Sequence, residues 1–332
     1  MEQYRLARIQ GQSLSGKWRV LAAAVWAFAW ALTVQAQVPP AQPKSAPPPA
    51  PRITAAPEGC KALRNLEYAR VGEKSLLLDL YLPEKPDGPL PVVVWIHGGG
   101  WRGGDKEPCR AVWLAPRGYA VASVNYRLSQ EAIFPAQIQD CKAAIRWLRA
   151  HAAAYRLDAG HIGVWGDSAG GHLCALLGAS GDVKELEGAQ GNLQQSSRVQ
   201  AVCDFYGPMD LLRFPLPPDP KKLNAYAMAF QFLGGPPEEN LERAAQASPI
   251  TYVTADDPPF LIVHGDRDEL VPIQQSELLL EALKKAGVEA ELHVVKGAGH
   301  GFPYDAAITR LVGEFFDRHL KPPAKQRALN AP

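Results

Sequence analysis

From Pro91 to Ile96 the chain reads PVVVWI, with no polar residue to face water, and then reaches His97 and three consecutive glycines. A strand with one solvated face alternates polar and apolar residues. A solid apolar run needs cover on both faces, as a strand has inside a parallel sheet. Comparable segments recur: SLLLDLYL from Ser75, YAVASVNY from Tyr119, HIGVWGD from His161, VQAVCDFY from Val199 and FLIVHGD from Phe260. AELHVV from Ala290 alternates instead, which suits a less buried edge.

Helical patterns fill the intervals. In FPAQIQDCKAAIRWLRAHAAAY, residues Ile138, Cys141, Ile145, Leu148 and Ala152 recur three and four apart and make one apolar stripe. VPIQQSELLLEALKKAGVE carries Pro272 near its first turn, lysines in its last turn and Gly287 as a stop. Such alternation implies an α/β fold, a mostly parallel doubly wound sheet with helices on both faces. Between Tyr206 and Pro259 the rhythm breaks into proline-rich sequence (FPLPPDPKK, FLGGPPEEN). This stretch reads as a small cap insertion after the sixth strand, over the C-terminal edge of the sheet, where open α/β sheets bind ligands.

The ends read differently. Arg5, Arg8, Lys17 and Arg19 precede the uncharged VLAAAVWAFAWALTV and small residues at Val34 and Ala36. Residues 1–36 therefore read as an export signal cut after Ala36, which places the mature protein in the periplasm or outside the cell. The apolar run is shorter than the roughly 18 residues of a membrane span, so no stable span is expected. Residues 37–57, rich in Pro, Ala and Gln, read as an extended linker, and 321–332 as a flexible tail. One domain, 58–320, remains. The net charge of +1 argues against nucleic acid as a partner. Of the five cysteines, Cys174 and Cys203 sit in apolar settings and read as small buried hydrophobes. No Cys/His spacing calls for a metal, and no cofactor is implied.

Gly166-Asp167-Ser168-Ala169-Gly170 matches G-x-S-x-G, directly after an expected strand and before a helical pattern, the context in which that motif holds a nucleophile. A serine hydroxyl needs a base to take its proton. Downstream, LIVHGDRDELVP puts Asp266 and Asp268 in a loop after one strand, and LHVVKGAGHGF puts His300 in a loop after the last. Serine, aspartate, histidine is the chain order of the α/β-hydrolases. His300 would serve as general base and then acid, with an aspartate holding its tautomer. His264 and His293, inside strands, read as structural histidines, and His97 as a brace for the glycine loop. The glycines need a reason, and acyl transfer supplies one. The oxyanion that develops needs close N–H donors, which bare backbone at Gly99 and Gly100, with the amide of Ala169, can provide.

These motifs resemble the α/β-hydrolase superfamily, on the side that pairs an H-G-G-G loop with G-D-S-A-G-G, as hormone-sensitive-lipase-like esterases do. HGGGWRGGDK, YAVASVNYRLS, FPAQIQDCKAAIRWLRAHA and HGDRDELVPIQQSELL resemble, in order, the group of bifunctional feruloyl and acetyl xylan esterases. The resemblance implies Ser168 as nucleophile, His300 as base and Asp268 rather than Asp266 as the acidic member, leaving Asp266 to brace its loop. It also implies that Trp101 adds an amide to the oxyanion loop or packs against the acyl group. Tyr206, where the insertion begins, is a candidate for substrate contact. The expected partner is a small-molecule or carbohydrate ester, with a short acyl group such as acetyl or an aromatic one such as ferulate. Two other enzymes share parts of this pattern, a prolyl-oligopeptidase-like peptidase and an aryl formamidase. A catalytically inert binding module is the non-enzyme alternative, although no triad member is missing.

Overall fold

The computed structural model describes residues 54–214 and 225–321. The expected export signal, all but the last residues of the linker and all but the first residue of the tail lie outside them. Eight strands are present among the described residues: β1 (Cys60–Val71), β2 (Lys74–Pro83), β3 (Leu90–Ile96), β4 (Ala120–Val124), β5 (Leu157–Asp167), β6 (Ala201–Phe205), β7 (Phe260–Gly265) and β8 (Ala290–Val295). Seven of them coincide with the apolar segments; β1 was not foreseen. They form one sheet in the order β1-β2-β4-β3-β5-β6-β7-β8. From β4 through β8 every pairing is parallel, while β2 runs antiparallel to both β1 and β4. The helices are α1 (Ala136–Ala150), α2 (Ala152–Tyr155), α3 (Ala169–Ala179), α4 (Ala225–Leu233), α5 (Leu241–Gln246), α6 (Gln274–Ala286) and α7 (Ala306–Leu320).

The solid runs are explained by what covers each face. Alternate residues of a strand point to opposite sides. Val92, Val94, Ile96, Val164, Val202 and Ile262 point into a core shared with Ile138, Ile145 and Leu148 of α1, with Leu173, Leu176 and Leu177 of α3, and with Leu279 and Leu283 of α6. Val93, Trp95, Trp165, Cys203, Leu261 and Val263 point the other way, onto Ile308, Val312 and Phe316 of α7. Neither side of the central strands meets water, so neither needs polar residues. β8 lies at the edge and its residues are only partly buried. The stripe read on α1 faces the core, with Ile138, Ile145 and Leu148 fully buried. α6 ends at Gly287, whose left-handed backbone (φ 81°) lets the next amide, of Val288, close onto Leu283 O at 2.9 Å. All five cysteines are buried free thiols.

Sheet order sets where a site can form. The chain passes from β3 to β4 on one side, then returns across β3 to β5 on the other. The crevice beyond the ends of β3 and β5 is thus the topological switch point of the sheet. β3 delivers the glycine loop there and β5 delivers Ser168. α4 and α5, within the insertion between β6 and β7, bring Met228 against Gly100, where a Cβ on that glycine would lie 2.2 Å from Met228 Sδ.

Candidate active site

Ser168 occupies the single residue between β5 and α3, with φ 53° and ψ −119°. Left-handed backbone at a non-glycine residue costs about 1–2 kcal/mol, and the surroundings impose it. The Ser168 amide donates to Phe205 O at 2.8 Å, at the end of β6, and its carbonyl accepts from His172 N at 2.9 Å, in the first turn of α3. The turn also needs empty space on either side. A Cβ at Gly170 would sit 2.0 Å from Ile96 O, and one at Gly166 would sit 2.5 Å from the carbonyl carbon of Gly170. Helix and strand approach too closely there for any side chain.

The loops after β7 and β8 bring Asp268 and His300 to the same place. Ser168 Oγ lies 2.9 Å from His300 Nε2, and His300 Nδ1 lies 2.7 Å from Asp268 Oδ2. Beside a carboxylate the Nδ1 position carries the proton, so Nε2 presents a lone pair to the serine hydroxyl. The other oxygen of Asp268, Oδ1, accepts the amides of Leu270 and Val271, each at 2.9 Å. Burial alone would raise the Asp268 pKa. Hydrogen bonds from His264 and His300, the charge His300 can carry and the Val271 amide outweigh it and hold the carboxyl well below the usual range. Asp266, the neighbouring candidate, faces away: it accepts the Gly297 amide at 2.6 Å and lies 3.4 Å from Lys296 Nζ.

The glycine loop after β3 borders the same cleft. Gly99 and Gly100 have φ 106° and 59°, and a Cβ at Gly99 would meet Gly103 O at 2.3 Å. Among the described residues the amides of Gly99, Gly100 and Ala169 donate to no protein acceptor. Ala169 N is the first amide of α3, on the positive end of the helix dipole. His97, pushed toward its neutral form by burial, stacks on Tyr126 at 4.4 Å and holds the base of the loop, with Nδ1 at 2.8 Å from Gly98 O.

A cleft of about 620 Å³ opens over these groups, lined by Ser168, His300, Gly99, Gly100, Tyr206 and Met228, among others. Tyr206 sets its ring against His300 at 4.8 Å. Arg110 stands at the same cleft over the ring of Tyr304, whose hydroxyl donates to Asp167 at 3.3 Å. Among the described residues, no three His, Cys, Asp or Glu side chains converge as a metal site.

The expectation that Trp101 packs against an acyl group needs correction. Its indole is only 2% exposed, does not line the cleft and stacks on Phe232 of α4 at 4.3 Å. An indole buries more surface in an aromatic pocket than at a cleft wall, and the pocket wins. His264 is satisfied as expected, by Ser276 Oγ at 2.7 Å and Val271 O at 2.8 Å, yet its Nε2 also comes within 3.2 Å of Asp268 Oδ2. Its place on β7, four residues before Asp268, was the one sequence signal for that contact.

The BD-FAE family model matches residues 78–283, and a model described as TAP-like protein matches residues 240–327. A probable carboxylic ester hydrolase, LipM of Mycobacterium tuberculosis, is 33% identical over 227 residues, covering 66% of this chain and 50% of that protein. The chain thus spans about half the length of that relative. Among solved structures, a truncated carbohydrate esterase from gut microbiota is similar with TM-score 0.70 and 35% identity, over 78% of this chain and 95% of that one. An acetyl ester-xyloside bifunctional hydrolase from Caldicellulosiruptor lactoaceticus has TM-score 0.61 and 29% identity, over 74% and 86% of the two chains.

Proposed function

The chain belongs to the BD-FAE family of the α/β-hydrolase fold, and from that membership we propose that it is a serine carboxylesterase acting on short-chain acyl or aromatic esters of plant cell-wall carbohydrates. The observation that carries the reading is the relay Ser168–His300–Asp268, at 2.9 Å and 2.7 Å, beside three backbone amides with no acceptor among the described residues. In the first step Ser168 Oγ bonds to the ester carbonyl carbon while its proton passes to His300 Nε2. The carbonyl electron pair moves onto oxygen, where the amides of Gly99, Gly100 and Ala169 receive it. Collapse expels the alcohol, which takes the proton from Nε2 and leaves an acyl-serine. Water repeats the sequence and releases the acid. Asp268 keeps the proton on Nδ1 and stabilises the imidazolium, for which its depressed pKa suits it.

The carbohydrate assignment is supported by the named activities of the similar structures and by an open cleft with room for a sugar beside the triad. Ser168→Ala should abolish hydrolysis of p-nitrophenyl acetate, acetylated xylan and feruloylated arabinose, and should also abolish labelling by a fluorophosphonate, with an unchanged thermal melt. Turnover retained in this variant overturns the assignment of the nucleophile. Turnover of p-nitrophenyl acetate alone by the wild type overturns the carbohydrate class.

A further inference from the structure

His172 lies on α3, fully buried, and both of its ring nitrogens are engaged. Nε2 donates to Ala247 O, at the end of α5, at 2.7 Å. That bond places the proton on Nε2 and leaves Nδ1 an acceptor, which takes the indole N–H of Trp101 at 3.1 Å. Burial holds the imidazole neutral, with its pKa pushed down to about 4. Trp101 follows Gly100 directly and has φ 56°, so its backbone belongs to the same left-handed turn that exposes the loop amides. Its carbonyl is pinned by Ser129, through N at 2.8 Å and Oγ at 3.0 Å. Phe232 of α4 closes the group, parallel to the indole at 4.3 Å and edge-on to His172 at 5.6 Å.

Three segments distant in sequence therefore meet at one hydrogen bond: the oxyanion loop through Trp101, the nucleophile helix through His172, and the insertion through Phe232 and Ala247. We propose that the Trp101–His172 pair is a positioning device, which fixes the Gly99 and Gly100 amides relative to Ser168 and makes that fix depend on the seating of the insertion. The inference rests on the esterase reading above. Neither side chain touches substrate; they act through the amides they hold. An oxyanion hole works only when its donors sit where charge will appear. Here one donor set is on a loop and the other on a helix, so something must hold loop to helix. The indole N–H is the bond that does so.

The test removes that N–H and little else. Trp101→Phe keeps a ring against Phe232, and 3-benzothienylalanine at position 101 keeps the whole bicycle with sulfur in place of N–H. Active sites are counted by fluorophosphonate titration, which the esterase reading requires to succeed in every variant. Per active site, kcat for p-nitrophenyl acetate should fall by about 10- to 100-fold, with KM changed less than about threefold. Affinity for a trifluoromethyl ketone, whose adduct with Ser168 carries an oxyanion, should fall by the same factor. A purely structural tryptophan would lower the melting temperature and leave kcat and ketone affinity per active site intact, and that result overturns the proposal. In wild-type protein, nitrogen NMR should find His172 Nδ1 unprotonated at neutral pH; a proton there overturns the bond itself. Failure of titration in the wild type would instead count against the esterase reading.

Discussion

Asp268→Asn is nearly isosteric, and the hydrogen bonds around position 268 decide which way the amide must face. Two backbone N–H groups, from Leu270 and Val271, reach Oδ1 at 2.9 Å, and only an oxygen can receive them. The amide nitrogen is therefore driven to the Oδ2 position, 2.7 Å from His300 Nδ1 and 3.2 Å from His264 Nε2. From there it donates to Nδ1, and the His300 proton must move to Nε2, the atom that faces Ser168 Oγ at 2.9 Å. A base that meets the hydroxyl with a proton already in place cannot accept another. In the serine-protease template the same tautomer error lowers kcat by about 10⁴-fold, or about 5.5 kcal/mol of transition-state stabilisation. The fold loses less: His264 Nε2–H, shared between Val271 O and the carboxylate, now opposes a donor, worth about 1–3 kcal/mol. Initial rates on p-nitrophenyl acetate at mildly alkaline pH measure the first effect and urea unfolding the second. Asp266→Asn is the control, since that carboxylate serves Gly297 N and Lys296 rather than His300; its kcat should stay within about threefold of wild type. If Asp268→Asn keeps kcat within about tenfold, or Asp266→Asn proves equally damaging, the orientation argument is wrong.

Three further substitutions probe the scaffold. Asp204, fully buried near the end of β6 with one oxygen unpartnered among the described residues, is raised from 3.8 to about 7 chiefly by burial, against His264 and the Gly207 amide, which lower it. The folded state thus keeps a proton that the unfolded chain gives up above pH 3.8, so stability falls as pH rises toward 7. Asp204→Asn removes that loss, and its advantage over wild type in urea unfolding should grow from near zero at acid pH to about 4 kcal/mol above neutrality; a difference independent of pH would contradict the raised pKa. Gly170→Ala puts a Cβ 2.0 Å from Ile96 O and should cost about 3 kcal/mol or more, whereas Gly287→Ala, left-handed but in open space, should cost about 1–2 kcal/mol. Equal melting temperatures for these two variants would refute the close approach of α3 to β3.

What the sequence made legible was whatever one segment decides for itself. A run such as PVVVWI announces burial on both faces, and the strands that lead to Ser168 and Asp268 are of that kind, whereas β8, which leads to His300, announces an edge by its alternation. β1 was not legible because its residues obey no single period. Its pairing with β2 slips twice, between Leu63 and Leu66 and between Glu67 and Ala69, and Lys61, Arg64 and Arg70 interrupt it at the edge of the sheet.

Trp101 and His172 failed for the opposite reason. Each follows a glycine within a legible motif, but what each does is set by partners far along the chain. His172 is 71 residues from Trp101 and 75 from Ala247. No periodicity connects them; only the topology does, by sending β3 and β5 to the same switch point and laying the insertion over both. On the proposed reading the glycines after His97 leave their amides open to an approaching oxygen, and bare amides are also mobile ones. A loop that must be both open and immobile needs its anchor beside the glycines rather than among them. A large side chain directly after Gly100, carrying one N–H to a buried acceptor, meets that need. The bulk at position 101 thus lies in the core, and Tyr206 and Met228 reach the cleft instead.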